Sequence, residues 1–273
     1  MNHPIKIRTI ASGSTGNTGV LKFGESSILV DAGVPFRRIS AGLEGLGGVE
    51  GLQAIVLTHE HHDHIRGLEL LLKARPDLPV YASGGTLKAL ELSDRETHIL
   101  RPDVPMTIGS ESVEITGFRV SHDATEVMGL RFESHGHVAC FVTDLGTYSD
   151  QTVEAVQGVH TLILESNYDA EMLRSGPYPV FLKRRIGGTR GHLSNDQSRA
   201  LLERVAHHNL QRVVLAHLSE TNNTPERARR TAEEFLAGSN VSLHVAAPSS
   251  PSPIWTPAAG VARSAPLTQL SLF

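Results

Sequence analysis

The segment at 58–64, Thr-His-Glu-His-His-Asp-His, restricts the possible folds of this chain more than any other stretch. It lies between an apolar run and a helix-like run. In an extended loop the side chains at i and i+2 point the same way, so His59 and His61 can bind one metal ion. Asp63 and His64 can face a second ion. Imidazole and carboxylate ligands favour zinc, manganese or iron. The alternative is a polar loop that is merely rich in histidine, in a chain that has 15 histidines.

Further polar residues follow predicted strands, at points where the chain opens into a loop: Asp31, His122, Asp144 and His217. An aspartate at the end of a buried strand is costly to leave unpaired, so Asp31 is expected to hydrogen-bond the metal loop. His122 is the expected third ligand of the first ion, with a surface histidine as the alternative. Asp144 lies where a carboxylate could bridge two ions, or it could only cap a helix.

Three other segments could contact an anionic substrate. The loop at 12–18, rich in Gly, Ser and Asn, can direct backbone N–H groups at an anion or can be an ordinary hairpin turn. His192 precedes a predicted helix whose N-terminus is a ready anion site, with Ser194 or Asn195 as its N-cap. The segment at 176–186 places three cations in a row, which can bind phosphate or form a solvated face.

The composition limits fold, partners and compartment. A chain of 273 residues with 40% apolar content can bury the core of one α/β domain. The formal net charge of −4 gives no global nucleic-acid signal, so a DNA site would be a local basic patch around metals. The single cysteine, Cys140, excludes an intramolecular disulfide and indicates a cytosolic protein. No signal-peptide pattern and no apolar run near the roughly 20 residues of a membrane span is present, so no membrane partner is expected.

These motifs resemble a known family. Thr-His-x-His-x-Asp-His resembles the signature of the metallo-β-lactamase superfamily, and the likeness covers about residues 5–245. Shorter motifs resemble the bacterial WalJ/YycJ-type subfamily: Ser-Gly-Ser-x-Gly-Asn, Ser-His-Asp-Ala, Glu-Ser-Asn, Gly-Pro-Tyr-Pro, Gly-His-x-Ser-Asn and Ala-His-Leu-Ser. The resemblance implies an α/β fold, an αββα sandwich that forms a single domain at 1–245. It also implies a cytosolic metal-dependent nuclease with 5′-to-3′ exonuclease activity on DNA.

The resemblance further implies a cofactor of two divalent ions, zinc or manganese. The expected ligands are His59, His61 and His122 for one ion, Asp63, His64 and His217 for the other, and Asp144 as the bridge. Asp31 is expected to support the metal loop without being a ligand. Glu165, His192 and His217 follow the order of the acid, His and His motifs of RNA-processing relatives, whose large insert domain has no room in this chain.

The expected reaction is phosphodiester hydrolysis of single-stranded DNA or DNA 5′ ends, in repair or replication. The two ions would hold a shared hydroxide that attacks phosphorus in line, which makes Asp63 and Asp144 catalytic. His192 would hold the scissile phosphate or protonate the leaving oxygen. The expected substrate contacts are polar or cationic: Ser14, Asn17, Asn167, Lys183, Arg184, Ser194 and Asn195. The alternatives are a thioester or lactam hydrolase on the same scaffold, and a binding protein with an inert metal site.

The C-terminal segment at 246–273 has a different composition from the rest of the chain. Its first part is rich in Pro, Ser and Ala and predicts a flexible linker without enough apolar content to pack. It ends in Gln-Leu-x-Leu-Phe, which resembles the pentapeptide by which bacterial replication and repair proteins bind the DNA sliding clamp. The predicted clamp contacts are Gln269, Leu270, Leu272 and Phe273. The alternative is a tail that docks on its own domain.

Overall fold

The computed structural model describes residues 5–92, 95–109 and 113–256. Its first sheet contains β1 (Lys6–Ala11), β2 (Thr18–Phe23), β3 (Ser26–Val30), β4 (Leu52–Val56), β5 (Val80–Ala82) and β6 (Thr97–Ile99). Its second sheet contains β7 (Met106–Ile108), β8 (Val113–Arg119), β9 (Met128–Ser134), β10 (His137–Val142), β11 (Thr161–Glu165), β12 (Arg212–Ala216) and β13 (Ser242–Val245). In each sheet the strands follow chain order, beginning antiparallel and ending parallel.

Helices cover the outer faces of both sheets. They are α1 (Phe36–Gly42), α2 (His62–Ile65), α3 (Leu68–Ala74), α4 (Gly84–Ala89), α5 (Asp150–Val156), α6 (Ala170–Ser175), α7 (Val180–Ile186), α8 (Asn195–Val205) and α9 (Pro225–Leu236). Apolar residues of α1 and α3 pack on the first sheet, and those of α5, α8 and α9 pack on the second. The inner faces of the two sheets share a third core cluster. The layers are therefore helix, sheet, sheet, helix, and the predicted αββα sandwich is confirmed.

The alternation of side chains along each strand explains how one sheet serves two cores. In β11, Ile163 lies in the core between the sheets, whereas Leu162 and Leu164 pack against the outer helices. This period of two is the geometry of a β-strand, and a parallel strand covered on both faces is apolar at every position. The apolar runs of the sequence are therefore the inner parallel strands.

The helix predicted from Ile65 to Ala74 is shorter than expected, and a separate single turn of helix precedes it within the metal loop. Residues His62–Ile65 form α2 and Leu68–Ala74 form α3, with Gly67 between them. The Gly67 N–H donates to the Ala32 carbonyl at 2.7 Å, and a Cβ at this position would collide with the Val34 carbonyl. The close approach of the two backbones requires glycine here, and it ties the metal loop to the end of β3.

Residues 246–256, which the sequence assigned to the flexible tail, are packed along β1. The Trp255 backbone exchanges two hydrogen bonds with Ile7, at 2.9 and 2.8 Å, and Ser252 N–H donates to the Thr9 carbonyl at 2.8 Å. The Trp255 side chain is buried in the core between the sheets. The predicted domain boundary at 245 is wrong, because the packed chain continues to at least residue 256. The predicted clamp-binding residues lie outside the described part of the chain.

Across these same ranges, no helix combines the length and the apolar character needed to cross a membrane.

Candidate metal centre and active site

The carboxyl ends of parallel strands from both sheets meet at one edge of the sandwich. Val142 of β10 pairs with Leu164 of β11, and Leu164 pairs with Leu215 of β12, so these strands end level with one another. Parallel strands that end together place the residues that follow them in one crevice. The chain there supplies Asp31, His59, Asp144, Glu165 and His217.

Three of these residues turn the chain in a conformation that few residues other than glycine adopt. The φ angles are 57° at Asp31, 61° at Asp144 and 54° at His217. Backbone in this left-handed region costs energy for a residue with a Cβ, and such residues concentrate at functional sites. The strained turns, each one or two residues past a strand end, mark this edge as the candidate site.

The histidines and carboxylates of the edge form overlapping clusters. The clusters are His59–His61–His122, His59–His64–Asp144, Asp63–His64–His217 and Asp144–Glu165–His192–His217, with one ligand atom of each residue within 4.8 Å of the others in its cluster. The structure therefore brings all of the predicted metal ligands together. Asp144 Oδ2 lies 3.2 Å from His64 Nε2, and Asp144 Oδ1 lies 3.9 Å from His122 Nε2, so its carboxylate faces one residue of each predicted ligand set.

Two buried atoms of the cluster lack partners, and they test whether a metal fits. His59 Nε2 and Asp144 Oδ2 have no hydrogen-bond partner in the described ranges. His64 Nε2 lies 3.2 Å from Asp144 Oδ2, but without hydrogen-bond geometry. A buried polar atom without a partner costs about 1–3 kcal/mol, so the fold leaves these atoms free for a ligand. A ring nitrogen and a carboxylate oxygen are a donor set that suits a divalent transition metal.

Hydrogen bonds at Nδ1 of two histidine rings orient the opposite nitrogen, Nε2, toward the metal cluster. His64 Nδ1 lies 2.8 Å from Asp31 Oδ2, and the same carboxylate accepts from Thr58 N at 2.8 Å and from Thr58 Oγ1 at 2.9 Å. His122 Nδ1 lies 2.9 Å from the Gly191 carbonyl. An Nδ1–H that donates to oxygen leaves Nε2 unprotonated and free to bind metal. Asp31 thus occupies a supporting position behind His64.

The loop carrying Asp63 approaches the end of β3 closely. A Cβ at Gly33 would collide with the Asp63 carbonyl and with Asn17, so glycine is needed there. Asn17 N–H donates to the Asp63 carbonyl at 2.7 Å, and Gly33 N–H donates to the Asn17 carbonyl at 2.9 Å. Asn17 therefore joins the loop at 12–18 to the metal loop.

The buried carboxylate of Asp144 and the neighbouring imidazoles favour the charged forms of one another. Burial alone would raise the pKa of Asp144, but His217 and His64 hold it well below its usual range. Burial would also lower the pKa values of His64 and His217, whereas Asp144 raises both well above the usual value. A divalent ion held by these side chains would take the place of the protons that Asp144 favours on His64 and His217, which couples metal binding to proton release.

Glu165 is a central residue that the sequence pointed to only through its motif. Its Oε1 lies 2.9 Å from Nδ1 of both His192 and His217. Its Oε2 accepts from the backbone N–H groups of Leu145 at 3.1 Å and Leu193 at 3.0 Å. Burial would raise the pKa of Glu165, but His192 and His217 lower it to about 2. Its position at the end of β11, matching those of Asp31 and Asp144, is the signal that could have identified it.

His192 is the most open histidine around Glu165. Its side chain is 20% exposed, compared with 3% for His217. Its ring centroid lies 5.0 Å from those of His122 and His217. Because the ionised Glu165 accepts from Nδ1, Nε2 is left for a proton or a substrate atom.

Most of the predicted substrate contacts are buried and used elsewhere. Asn17 accepts from Gly13 N–H at 3.0 Å, and Asn167 donates to the His217 carbonyl at 2.7 Å. Asn195 bonds Ser166 and Asn223. The amides of these three asparagines hold the loops of the site together, and their direct contact with substrate stays a prediction.

The remaining predicted contacts are nearer the surface. Ser194 is the N-cap of α8 and its hydroxyl accepts from Gln197 N–H at 3.1 Å, so its assignment to substrate stays a prediction. Ser14 is exposed in the loop at 12–18. Lys183 Nζ donates to the Arg174 carbonyl at 2.8 Å, whereas Arg184 is exposed and has no side-chain partner in the described ranges. Of the two cations, Arg184 is the one free to meet a phosphate.

Comparison with known proteins adds the family. Residues 26–218 match the family model described as the beta-lactamase superfamily domain. The chain is 36% identical to exodeoxyribonuclease YycJ of Bacillus anthracis over 233 residues, covering 83% of this chain and 87% of that protein. It is 34% identical to exodeoxyribonuclease WalJ of Streptococcus pneumoniae serotype 2 over 248 residues, covering 88% and 91%.

Solved structures share the fold at lower identity. The metallo-beta-lactamase fold protein YhfI of Bacillus subtilis superposes with a TM-score of 0.73 at 21% identity, over 92% of this chain and 99% of that one. Zn(2+)-bound PqqB of Methylobacterium extorquens superposes with a TM-score of 0.69 at 17% identity, over 90% and 99%. At these identities the likeness extends to the fold alone.

Proposed function

This chain belongs to the metallo-β-lactamase superfamily, a family of metal-dependent hydrolases, and from that premise we propose that it is a metal-dependent exodeoxyribonuclease. The observation that carries the proposal is the cluster with free His59 Nε2 and Asp144 Oδ2 atoms, in a chain similar to exodeoxyribonucleases over most of its length. The proposed direction is 5′ to 3′ and the proposed role is in repair or replication. The proposed cofactor is two ions of zinc or manganese.

Each ion is assigned its own set of side chains. One set comprises His59, His61 and His122, the other comprises Asp63, His64 and His217, and Asp144 serves both. When bound, the ions supply Lewis acidity that activates water and neutralises charge on the phosphoryl oxygens.

The chain itself supplies the orientation of these ligands and a proton. Asp31 and the Gly191 carbonyl keep His64 and His122 in the tautomer that presents Nε2. Glu165 accepts a hydrogen bond from His192 Nδ1, which leaves Nε2 facing outward to bind a phosphoryl oxygen or to pass a proton to the leaving oxygen. The negative Glu165 also lies against His217, so it couples the proton donor to the metal ligands.

A comparison of substrates tests the proposed function. Purified protein is incubated with single-stranded DNA and RNA labelled at either end, under zinc, manganese or magnesium, and separately with a glutathione thioester. We expect metal-dependent release of nucleotides from the DNA 5′ end. Turnover of the thioester with DNA left intact would instead identify a small-molecule hydrolase.

We further propose that residues 269–273 bind the DNA sliding clamp. The support is the pattern Gln-Leu-x-Leu-Phe, in which three large apolar groups can fill a pocket and Gln269 can supply hydrogen bonds. So short a peptide costs little to order, and an affinity of about micromolar is expected.

A further inference from the structure

Helix α7 leaves an aromatic ring uncovered near the candidate site. Phe181 is 73% exposed and its neighbour Val180 is 63% exposed. The other large apolar side chains that are exposed in the described ranges, Leu70, Ile99 and Val104, are aliphatic. A planar ring with most of its surface open to solvent can stack with another planar group.

The helix that carries this ring is fixed to the body of the protein. Before its first turn, Tyr178 Oη donates to Thr221 Oγ1 at 3.1 Å. Within the helix, Lys183 Nζ donates to the Arg174 carbonyl at 2.8 Å. At its end, the Ile186 carbonyl accepts from His192 N–H at 2.8 Å. Because the support is held at both ends, a ligand that stacks on Phe181 has little chain to order.

Cations lie on the same side of the helix as the ring. Residues three and four positions apart are neighbours on a helix surface, which places Arg184 and Arg185 next to Phe181. Arg184 has no side-chain partner in the part of the chain that the structure describes. Arg185 forms an ion pair of 2.6 Å with Asp123, which adjoins the ligand His122. The face therefore joins an open ring, a free cation and the edge of the metal cluster.

The charge of this face indicates what it would bind. The chain as a whole has a net charge of −4, so the free Arg184 beside an open ring is a local exception that attracts an anion. A phosphate next to an aromatic base is complementary to both features.

We propose that Phe181 is a stacking platform for an unpaired base of a DNA strand held in the site, with Arg184 beside the phosphate of that nucleotide. This inference rests on the proposed nuclease function and extends it to a preference for single strands. A base within a duplex is already covered on both faces, whereas an unpaired base can cover the ring.

Binding of a strand that resists cleavage tests the platform. Fluorescence anisotropy with metal-loaded protein and a phosphorothioate-linked single strand gives Kd for wild type, Phe181→Ala, Phe181→Leu and Phe181→Trp. Stacking of one base predicts that Ala and Leu weaken binding about five- to a hundredfold, while Trp retains it. On a strand whose first four nucleotides are abasic, Phe181→Ala should bind as wild type does. Leu70→Ala, which removes another exposed apolar side chain, on α3, should bind every strand normally.

Three outcomes would overturn the platform. Phe181→Leu binding as tightly as wild type would show a general apolar contact. An equal loss on abasic strands would show that no base is involved. Loss of a dimer in Phe181→Ala, measured by light scattering, with DNA affinity unchanged would assign the ring to a protein contact.

The experiment also separates this inference from the proposed function. If the wild-type protein neither binds nor cleaves DNA, the proposed nuclease function fails and the platform fails with it. If the wild-type protein cleaves DNA and Phe181→Ala binds the strand as tightly, the platform alone is wrong.

Discussion

Glu165 Oε1 lies 2.9 Å from Nδ1 of His192, an imidazole of the metal cluster that is 20% exposed. The carboxylate is buried and its pKa is lowered to about 2, so it is ionised and accepts a hydrogen bond from the ring Nδ1–H. Through the same oxygen it also bonds His217, a proposed metal ligand. One side chain therefore sets both the tautomer of a proton donor and the position of a ligand.

The pair predicts coupled losses of activity. In the wild type both carboxylate oxygens of Glu165 accept hydrogen bonds. Glu165→Gln keeps the side-chain volume, but its amide NH2 group would face N–H donors and could not accept from them. We expect kcat to fall about a hundredfold or more, the scale of a general acid–base contribution. In a double-mutant cycle, Glu165→Gln should cost much less when His192 is already Ala, since the two act as one unit. If the losses in kcat were fully additive, Glu165 and His192 would act independently of each other.

His192 is predicted to act on the substrate and not to hold a metal. His192→Ala should keep the full metal content, measured by mass spectrometry, and lose about a hundredfold or more in kcat. His62→Ala is the matched control, because His62 lies in the metal loop but is exposed and belongs to no cluster within the described ranges. The His62→Ala variant should retain the metal content and the kcat of the wild type. A metal lost on His192→Ala would make this residue a ligand.

Asp144 is predicted to be indispensable for metal binding. Asp144→Asn tolerates the positive φ of this position, as asparagine often does, but removes the charge shared by two clusters. We expect little bound metal, no detectable DNA hydrolysis and loss of the rise in Tm that metal gives the wild type. His61→Ala should behave similarly. Near-normal activity in either variant would disprove the dinuclear assignment.

The sequence predicted which candidate ligands come together better than it predicted the surroundings of those residues, and the reason is physical. The spacing of His59 and His61 and the strand ends before Asp144 and His217 follow from periodicity alone. The direction of a polar side chain at a strand end does not, which is why Asn167 and Asn195 were assigned to substrate although both are buried. Their partners lie on loops distant in sequence, beyond the reach of local patterns.

The misplaced domain boundary has a related cause. Pro and Ser composition at 246–256 predicts a linker, but β1 is the edge of its sheet and offers free backbone groups to a passing segment. Trp255, the single tryptophan of the chain, was the available signal, because so large an apolar side chain rarely stays in solvent.

The C-terminal pentapeptide gives a prediction that is independent of the active site. Deletion of residues 269–273 should leave cleavage of free oligonucleotides unchanged, because the packed domain and its metal cluster remain intact. The deletion should abolish binding to the sliding clamp of the same organism, which calorimetry at tens of micromolar would detect for the full chain. No heat of binding from the full chain at that concentration would refute the clamp proposal. Leu272→Ala is the matched point variant.

His137 predicts how stability depends on pH. It lies at the start of β10, about 20 Å from Asp144 at some 3.3 Å per residue, so its titration is separate from the metal cluster. Its ring packs on His160 at a centroid distance of 4.6 Å, and Nε2 is buried without a partner in the described ranges. Burial, then His160 and Arg212, lower the pKa of His137 to about 4.

The sign of the effect follows from proton binding in the two states. Between pH 4 and pH 6.5 the unfolded chain binds a proton that the folded chain excludes at His137, so acidification in this window destabilises the fold. His137→Phe keeps a ring in the same place and removes the titration. In urea denaturation at pH 5, 6 and 7, the variant should lose less stability on acidification, with a slope lower by up to about 1.4 kcal/mol per pH unit. If the free energies of unfolding of the two proteins differed by the same amount at all three pH values, the difference would reflect packing, because packing does not depend on pH. Equal slopes for the two proteins would therefore show that His137 is not protonated differently in the folded and unfolded states.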